Sequence, residues 1–255
     1  MTVQNKKIIK WRIKYHMLKI APYGSKIKID LKNGLKYILR SKTLDKAILK
    51  EVWIRKIYDQ FGIKVEEGDT VIDIGAHVGI FSIYAAELSK SGKVYAFEPF
   101  SENFSMLQKH KTLNNKTNLL IYNLGVAGTK GKRILNLSSD NNTGGHSIHL
   151  KSNSENKIEI ETIILSEFCN QMEIDKIDFL KLDCEGAEFE ILMAEQSLLD
   201  RVQKVILECH PFENNTVSSM IKLLENKGFK VYRETNVTHE NIQMLYGTKT
   251  FANKT

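Results

Sequence analysis

The chain has 255 residues and a mass of 29.2 kDa, with 42% apolar and 26% charged residues. That composition fits one globular α/β domain and excludes a disordered, collagenous or disulfide-stapled chain. The net charge of +7 is uneven, because residues 1–60 hold 16 Lys/Arg against 4 Asp/Glu.

No apolar run approaches the ~18 residues of a membrane span. The start lacks the apolar core of a secretory signal. The three cysteines, Cys169, Cys184 and Cys209, show no C-x-x-C spacing. Reduced thiols and a cytoplasmic location are expected. Residues 1–44 read as a basic N-terminal extension with a short hairpin, and residues 45–255 as the main domain. In the extension, Ile8, Trp11, Tyr15 and Leu18 form one helical stripe, and Ile9, Ile13, Met17 and Ile20 another. Two separate stripes suit a partly exposed helix packed on the main domain better than a membrane-surface helix. The positive charge keeps peripheral membrane contact, or an anionic or lipid-linked acceptor, as the alternative. The aromatics form no RNA-stacking pattern, so no nucleic acid partner is expected.

Ser25–Asp30 and Lys36–Leu39 read as strands around the Asn33–Gly34 turn. Leu44–Phe61 has apolar residues at helical spacing. Thr70–Ile74 is then a continuous apolar run, the pattern of a strand buried on both faces. Helix Ile80–Ser89, strand Lys93–Phe97, helix Glu102–Leu113 and strand Asn118–Asn123 follow, giving βαβαβ with right-handed crossovers. Residues 124–176 are irregular, with two alternating segments, Arg133–Leu137 and Ile158–Ile163, expected to pair as a β-hairpin insertion. Beyond them come strand Ile177–Leu182, helix Glu188–Ala194, strand Lys204–Glu208, helix Val217–Lys227 and strands Phe229–Arg233 and Ile242–Tyr246. The architecture expected is a doubly wound, Rossmann-like, mostly parallel sheet.

The first buried strand runs into Asp73, Gly75, Ala76, His77 and Gly79 and then directly into a helix. A dinucleotide fingerprint needs a glycine where His77 stands, so a pyrophosphate fits badly. The D-x-G-x-x-x-G pattern, with an acid at the strand end, suits a cationic amino-acid moiety instead. The next strand ends at Glu98, whose carboxylate can accept both hydroxyls of an unphosphorylated ribose. Together they describe a nucleoside joined to an amino acid without phosphates, which matches S-adenosylmethionine. A later strand delivers Asp183, Cys184, Glu185, Gly186 and Glu188 beside that loop, and another ends at Glu208 and His210. Asp183 and Glu185 are candidate catalytic residues, Asp183 also as a positioner of acceptor or cofactor, whereas Glu188 can serve as a helix N-terminal acid. His210 is the candidate general base, because its ordinary pKa lies near neutrality. Asp183, Glu208 and His210 could share a divalent cation, but their spacing fixes no ligand geometry and no metal is assigned. His146, in a loop of the insertion, is a candidate contact to the acceptor.

The segments Val71–Ser82, Ala96–Pro99 and Ile177–Glu188 resemble the FkbM family of S-adenosylmethionine-dependent methyltransferases. The resemblance covers roughly residues 45–235. It implies a seven-stranded sheet of order 3-2-1-4-5-7-6 with the seventh strand antiparallel. It also implies methyl transfer to a hydroxyl of a sugar, glycan or related natural-product acceptor. Asp73, Gly75 and Gly79 would hold the methionine end and Glu98 the ribose. Asn123 stands where many such enzymes carry an acid that reads adenine, and with backbone groups it is the candidate for that contact. An amine acceptor and a non-catalytic S-adenosylmethionine-binding protein are the alternatives.

Overall fold

The computed structural model describes residues 15–138, 143–149, 156–234 and 242–249. Ile8, Ile9, Trp11 and Ile13 of the two stripes lie outside them. Among the described residues no helix is long and apolar enough to cross a membrane.

A hairpin of β1 (Lys26–Asp30) and β2 (Lys36–Arg40) precedes helix α1 (Asp45–Lys50), which continues as a π turn over Glu51–Arg55. The α/β core follows as β3 (Val71–Ile74), α2 (Ile80–Ser89), β4 (Val94–Phe97), α3 (Ser101–Leu113) and β5 (Leu119–Tyr122). An insertion carries β6 (Gly125–Val126), β7 (Gly131–Asn136), β8 (Lys157–Ile163) and helix α4 (Leu165–Gln171). The chain then returns as β9 (Ile177–Leu182), α5 (Glu188–Ala194), β10 (Val202–Cys209), α6 (Val217–Asn226), β11 (Lys230–Arg233) and β12 (Gln243–Thr248).

The main sheet has seven strands in the order β5-β4-β3-β9-β10-β12-β11. All neighbours are parallel except β12, which runs antiparallel to both β10 and β11. Counting only these seven strands, the order is 3-2-1-4-5-7-6, as expected. Every residue of β3 and β4 is buried, as strands covered by helices on both faces require. Strand order reverses between β3 and β9, so the loops leaving these two strands diverge and open a crevice at their carboxyl ends.

Three local features differ from the expectations. The predicted helix over Leu44–Phe61 ends early, at Lys56 in a left-handed conformation (φ 54°). Stopping there lets Tyr58 turn inward against Phe81, with ring centroids 4.5 Å apart. The insertion is a three-stranded sheet, because β6 adds to β8 in parallel beside the antiparallel β7–β8 pair. Helix α4 forms within the stretch read as irregular, and it buries Leu165, Phe168 and Cys169.

The hairpin is not a separate unit, so the boundary expected at residue 44 marks no break in packing. Ile27, Ile29, Tyr37 and Leu39 belong to the same apolar core as β3 and α2. The backbone N–H of Ile38 donates to His110 Nε2 on α3 at 2.8 Å. Arg40 forks onto Asp45, with Nη2–Oδ1 at 2.8 Å and Nε–Oδ2 at 3.0 Å, both side chains buried.

Candidate active site

The crevice at the carboxyl ends of β3 and β9 forms a cleft of about 370 Å³. Its floor is the Gly75 loop and the start of the Asp183 loop. Glu98 and Pro99 line one end with Leu124, Val126 and the apolar face of the insertion (Leu135, Ile160). Glu51, Tyr58, Glu185, Glu208 and His210 line the other end.

The two glycines are placed by different needs. Gly75 has φ +76°, and a Cβ there would sit 1.8 Å from the Asp183 carbonyl oxygen. Only glycine lets the two loops approach this closely. Gly79 has φ +82° and precedes α2; a Cβ would lie 2.2 Å from Leu107 Cδ1, so its role is the packing of α2 on α3. Gly79 and Ala76 do not line the cleft. Gly75→Ala is expected to lower the affinity for S-adenosylhomocysteine at least ~10-fold, since strain and clash together exceed the ~1–3 kcal/mol of an unfavourable φ. Calorimetric titration of the variant checks this.

Asp73 does not face the cleft. Its buried carboxylate accepts a hydrogen bond from Ser82 Oγ at 2.6 Å and lies 3.0 Å from Lys181 Nζ. The Lys181 ammonium also donates to the Gly75 carbonyl at 3.0 Å and lies 3.5 Å from Asp183. Burial works against this charge, but Asp73 and Asp183 outweigh it and hold the lysine protonated. Lys181 thus organises both loops, a role that sequence reading did not assign. Its signal was a lone cation in a buried strand, which must find anionic partners. Asp183 is the acid that meets the cleft beside Gly75.

Glu98 is buried and accepts backbone N–H bonds from His77 at 2.7 Å and Phe100 at 3.0 Å. Burial pushes its carboxyl up to about 7 despite these donors. Lone pairs remain for a ribose diol. His77 is buried in a left-handed conformation (φ 53°), and burial lowers its pKa to about 4, so the ring is neutral. Its Nε2 lies 3.3 Å from Arg40 Nη2 and 3.1 Å from Thr143 Oγ1. Because Arg40 only donates, the ring proton sits on Nδ1, which is buried without a partner among the described residues. The expectation for Asn123 is corrected: it is exposed, its amide donates to the Glu98 and Pro99 carbonyls at 2.8 and 3.0 Å, and it does not line the cleft. Leu124, Gly125 and Val126 are there instead.

At the other end, Asp183 and Glu208 lie within hydrogen-bond reach of each other. Burial disfavours the Asp183 charge, but Lys181 and His210 hold that carboxyl below its usual range. Burial and the Asp183 charge hold Glu208 well above it. Glu185 is pushed up to about 7 by burial. His210 is clamped between carboxylates, with Nδ1 3.2 Å from Glu188 Oε1 and Nε2 3.4 Å from Glu185 Oε2. Burial opposes its charge, yet Glu188 and Glu185 raise its pKa to about 10. His210 is therefore an imidazolium near neutral pH, with both ring protons committed, which differs from the expected free base. Glu188 also accepts the backbone N–H of Cys184 at 2.9 Å and of Gly186 at 3.0 Å, pinning the loop that carries Glu185. His146 lines the cleft and packs edge-on against Phe100, with ring centroids 4.5 Å apart.

The methyltransferase FkbM domain matches residues 73–231. The chain belongs to this family. The relatives it is similar to include Methyltransferase 1 of Beauveria bassiana, 24% identical over 203 residues that cover 72% of this chain and 80% of the relative. The hexuronic acid methyltransferase AglP of Haloferax volcanii is 29% identical over 147 residues, 58% of either chain. The 31-O-demethyl-FK506 methyltransferase FkbM of Streptomyces tacrolimicus is 24% identical over 216 residues, 73% of this chain and 82% of the relative. This FkbM-domain protein is an S-adenosylmethionine-dependent methyltransferase, and its cleft fits that cofactor. Gly75 and Asp183 line the cleft side by side, Glu98 has acceptor capacity to spare, and among the described residues the His77 Nδ1–H has no partner. Glu98 would hold the ribose, Leu124–Val126 the base, and the Gly75 loop with Asp183 the amino-acid end.

Proposed function

We propose that this FkbM-domain enzyme methylates a hydroxyl oxygen of a sugar or glycan. The observation that carries the reading is the acidic end of the cleft, where Glu51, Asp183, Glu185 and Glu208 converge next to the Gly75 loop. Carboxylates accept hydrogen bonds and a polyol offers several hydroxyl donors, so this lining orients a sugar through its hydroxyls. The names of two relatives, a hexuronic acid methyltransferase and a 31-O-demethyl-FK506 methyltransferase, agree with a sugar and with an oxygen acceptor.

Bound S-adenosylmethionine supplies an electrophilic methyl group on a sulfonium. The protein's part is to align the acceptor oxygen and to take its proton as the carbon–oxygen bond forms. The Asp183–Glu208 pair takes that proton. His210, already cationic, positions Glu185 and keeps a positive charge beside the pair, which limits the build-up of negative charge there.

Methyl transfer from labelled S-adenosylmethionine to a panel of neutral hexosides, hexuronosides and amino sugars tests the reading. Methyl ethers on sugar hydroxyls are the expected products. Label found only on nitrogen would overturn it in favour of an amine acceptor.

A further inference from the structure

Around the acidic cleft the surface has the opposite character. Of the eight exposed large apolar side chains among the described residues, five fall within residues 17–54: Met17, Ile20, Tyr23, Leu44 and Ile54. Ile20, at 64% exposure, is the most open of them. The same segment exposes Lys19, Lys26, Lys28, Lys42, Lys50, Arg55 and Lys56. Acids balance them only in part: Asp45 is buried under Arg40, Asp30 is exposed, Glu51 is half-buried with Arg55 3.8 Å away, and Asp59 lies 3.9 Å from Lys56. Apolar side chains set among an excess of cations fit an interface that is apolar inside and anionic at its surface.

This face is joined to the wall of the cleft. Residues 15–20 are helical, and the Leu18 carbonyl accepts the backbone N–H of Lys42 at 3.1 Å. The Gly24 N–H donates to the Ser41 carbonyl at 3.1 Å, and Lys46 Nζ sits 4.0 Å above the Tyr15 ring. From there α1 runs directly along the cleft through Leu44, Ala47, Ile48 and Glu51.

We propose that residues 15–56 dock the enzyme onto an anionic phospholipid bilayer, bringing the cleft mouth to the membrane surface. Lysines meet the headgroups while Met17, Ile20 and Tyr23 enter the interface between headgroups and acyl chains. A hydroxyl acceptor carried on the membrane would then reach the acidic cleft from the basic rim. The docking face stands independently of the sugar reading, because the experiment below contains no acceptor.

The test is co-sedimentation of the full chain with vesicles of phosphatidylcholine alone or with about 30% phosphatidylglycerol, at about 0.1 M and 0.5 M salt. Binding to the anionic vesicles is expected to exceed that to neutral ones at least ~10-fold at the lower salt and to fall at least as much at the higher. Met17→Ser/Ile20→Ser and, separately, Lys19→Glu/Lys26→Glu should each weaken it roughly 10-fold, with S-adenosylhomocysteine binding unchanged as the sign of an intact fold. Three results would overturn the proposal. These are equal binding to both vesicles, no vesicle binding alongside tight binding of an RNA oligonucleotide, and a dimer that the Met17/Ile20 variant dissociates while vesicles are ignored.

Discussion

Lys181→Met is expected to destabilise the fold by about 3–5 kcal/mol, the usual cost of removing one partner from a buried ion pair. The ammonium is 4% exposed, and it lies 3.0 Å from an Asp73 carboxylate that is itself fully buried. Without it, Asp73 keeps only the Ser82 hydroxyl, and the Gly75 carbonyl loses its 3.0 Å donor. The loop that cradles the cofactor and the strand end that carries Asp183 therefore loosen together. Urea denaturation measures the loss. Asp73→Asn in the same background should recover part of it, since it removes the stranded charge. A change below about 1 kcal/mol would mean that the lysine is solvated and the ion pair weak.

Glu208→Gln is expected to lower kcat by about 10²–10⁴-fold, the range for losing a proton acceptor, while S-adenosylhomocysteine affinity stays within about 3-fold. The sign of the pH dependence follows from the cluster. Glu208 is held above the usual carboxylate range, so at neutral pH the pair retains a proton, and raising the pH frees its capacity to accept another. Activity should rise from pH 6 into the mildly basic range, and the Glu208→Gln variant should lose that rise. Glu185, pushed up to about 7, also titrates there, so the variant rather than the profile makes the assignment. His210, at about 10, remains an imidazolium throughout. A variant that kept full turnover and the same pH limb would move the proton acceptor to Glu185.

The sheet order was legible because buried parallel strands are short apolar runs, and β3, β4 and β9 are each followed at once by a glycine or an acid. Gly75, Glu98, Asp183 and Glu208 all stand at or beside strand ends, and each lines the cleft. What could not be read was which acid a given cation satisfies, because those pairings are made across the fold. Asp73 lies one residue before the end of its strand and Glu98 one residue past the end of its own, but Lys181 on the neighbouring strand turns Asp73 inward. His210 looked like a free imidazole until Glu188, 22 residues earlier, came within 3.2 Å of it. The wall made by α1 was hidden for the same reason. It depends on the Arg40–Asp45 pair meeting His77, a contact between the hairpin and the glycine loop. Helix α4, by contrast, has a local trace in the spacing of Leu165, Phe168 and Cys169, which fits a short helix.

The central claim is that the crevice between the β3 and β9 loops binds the methyl donor through Glu98 at the ribose. Calorimetric titration of the full chain with S-adenosylhomocysteine, beside Glu98→Ala, tests it most directly. The account predicts saturable binding to the native protein and an affinity about 10–100-fold weaker in the variant, the value of hydrogen bonds from two hydroxyls to a carboxylate. Equal affinity in the two proteins, or no binding to a native protein shown to be folded, would contradict it.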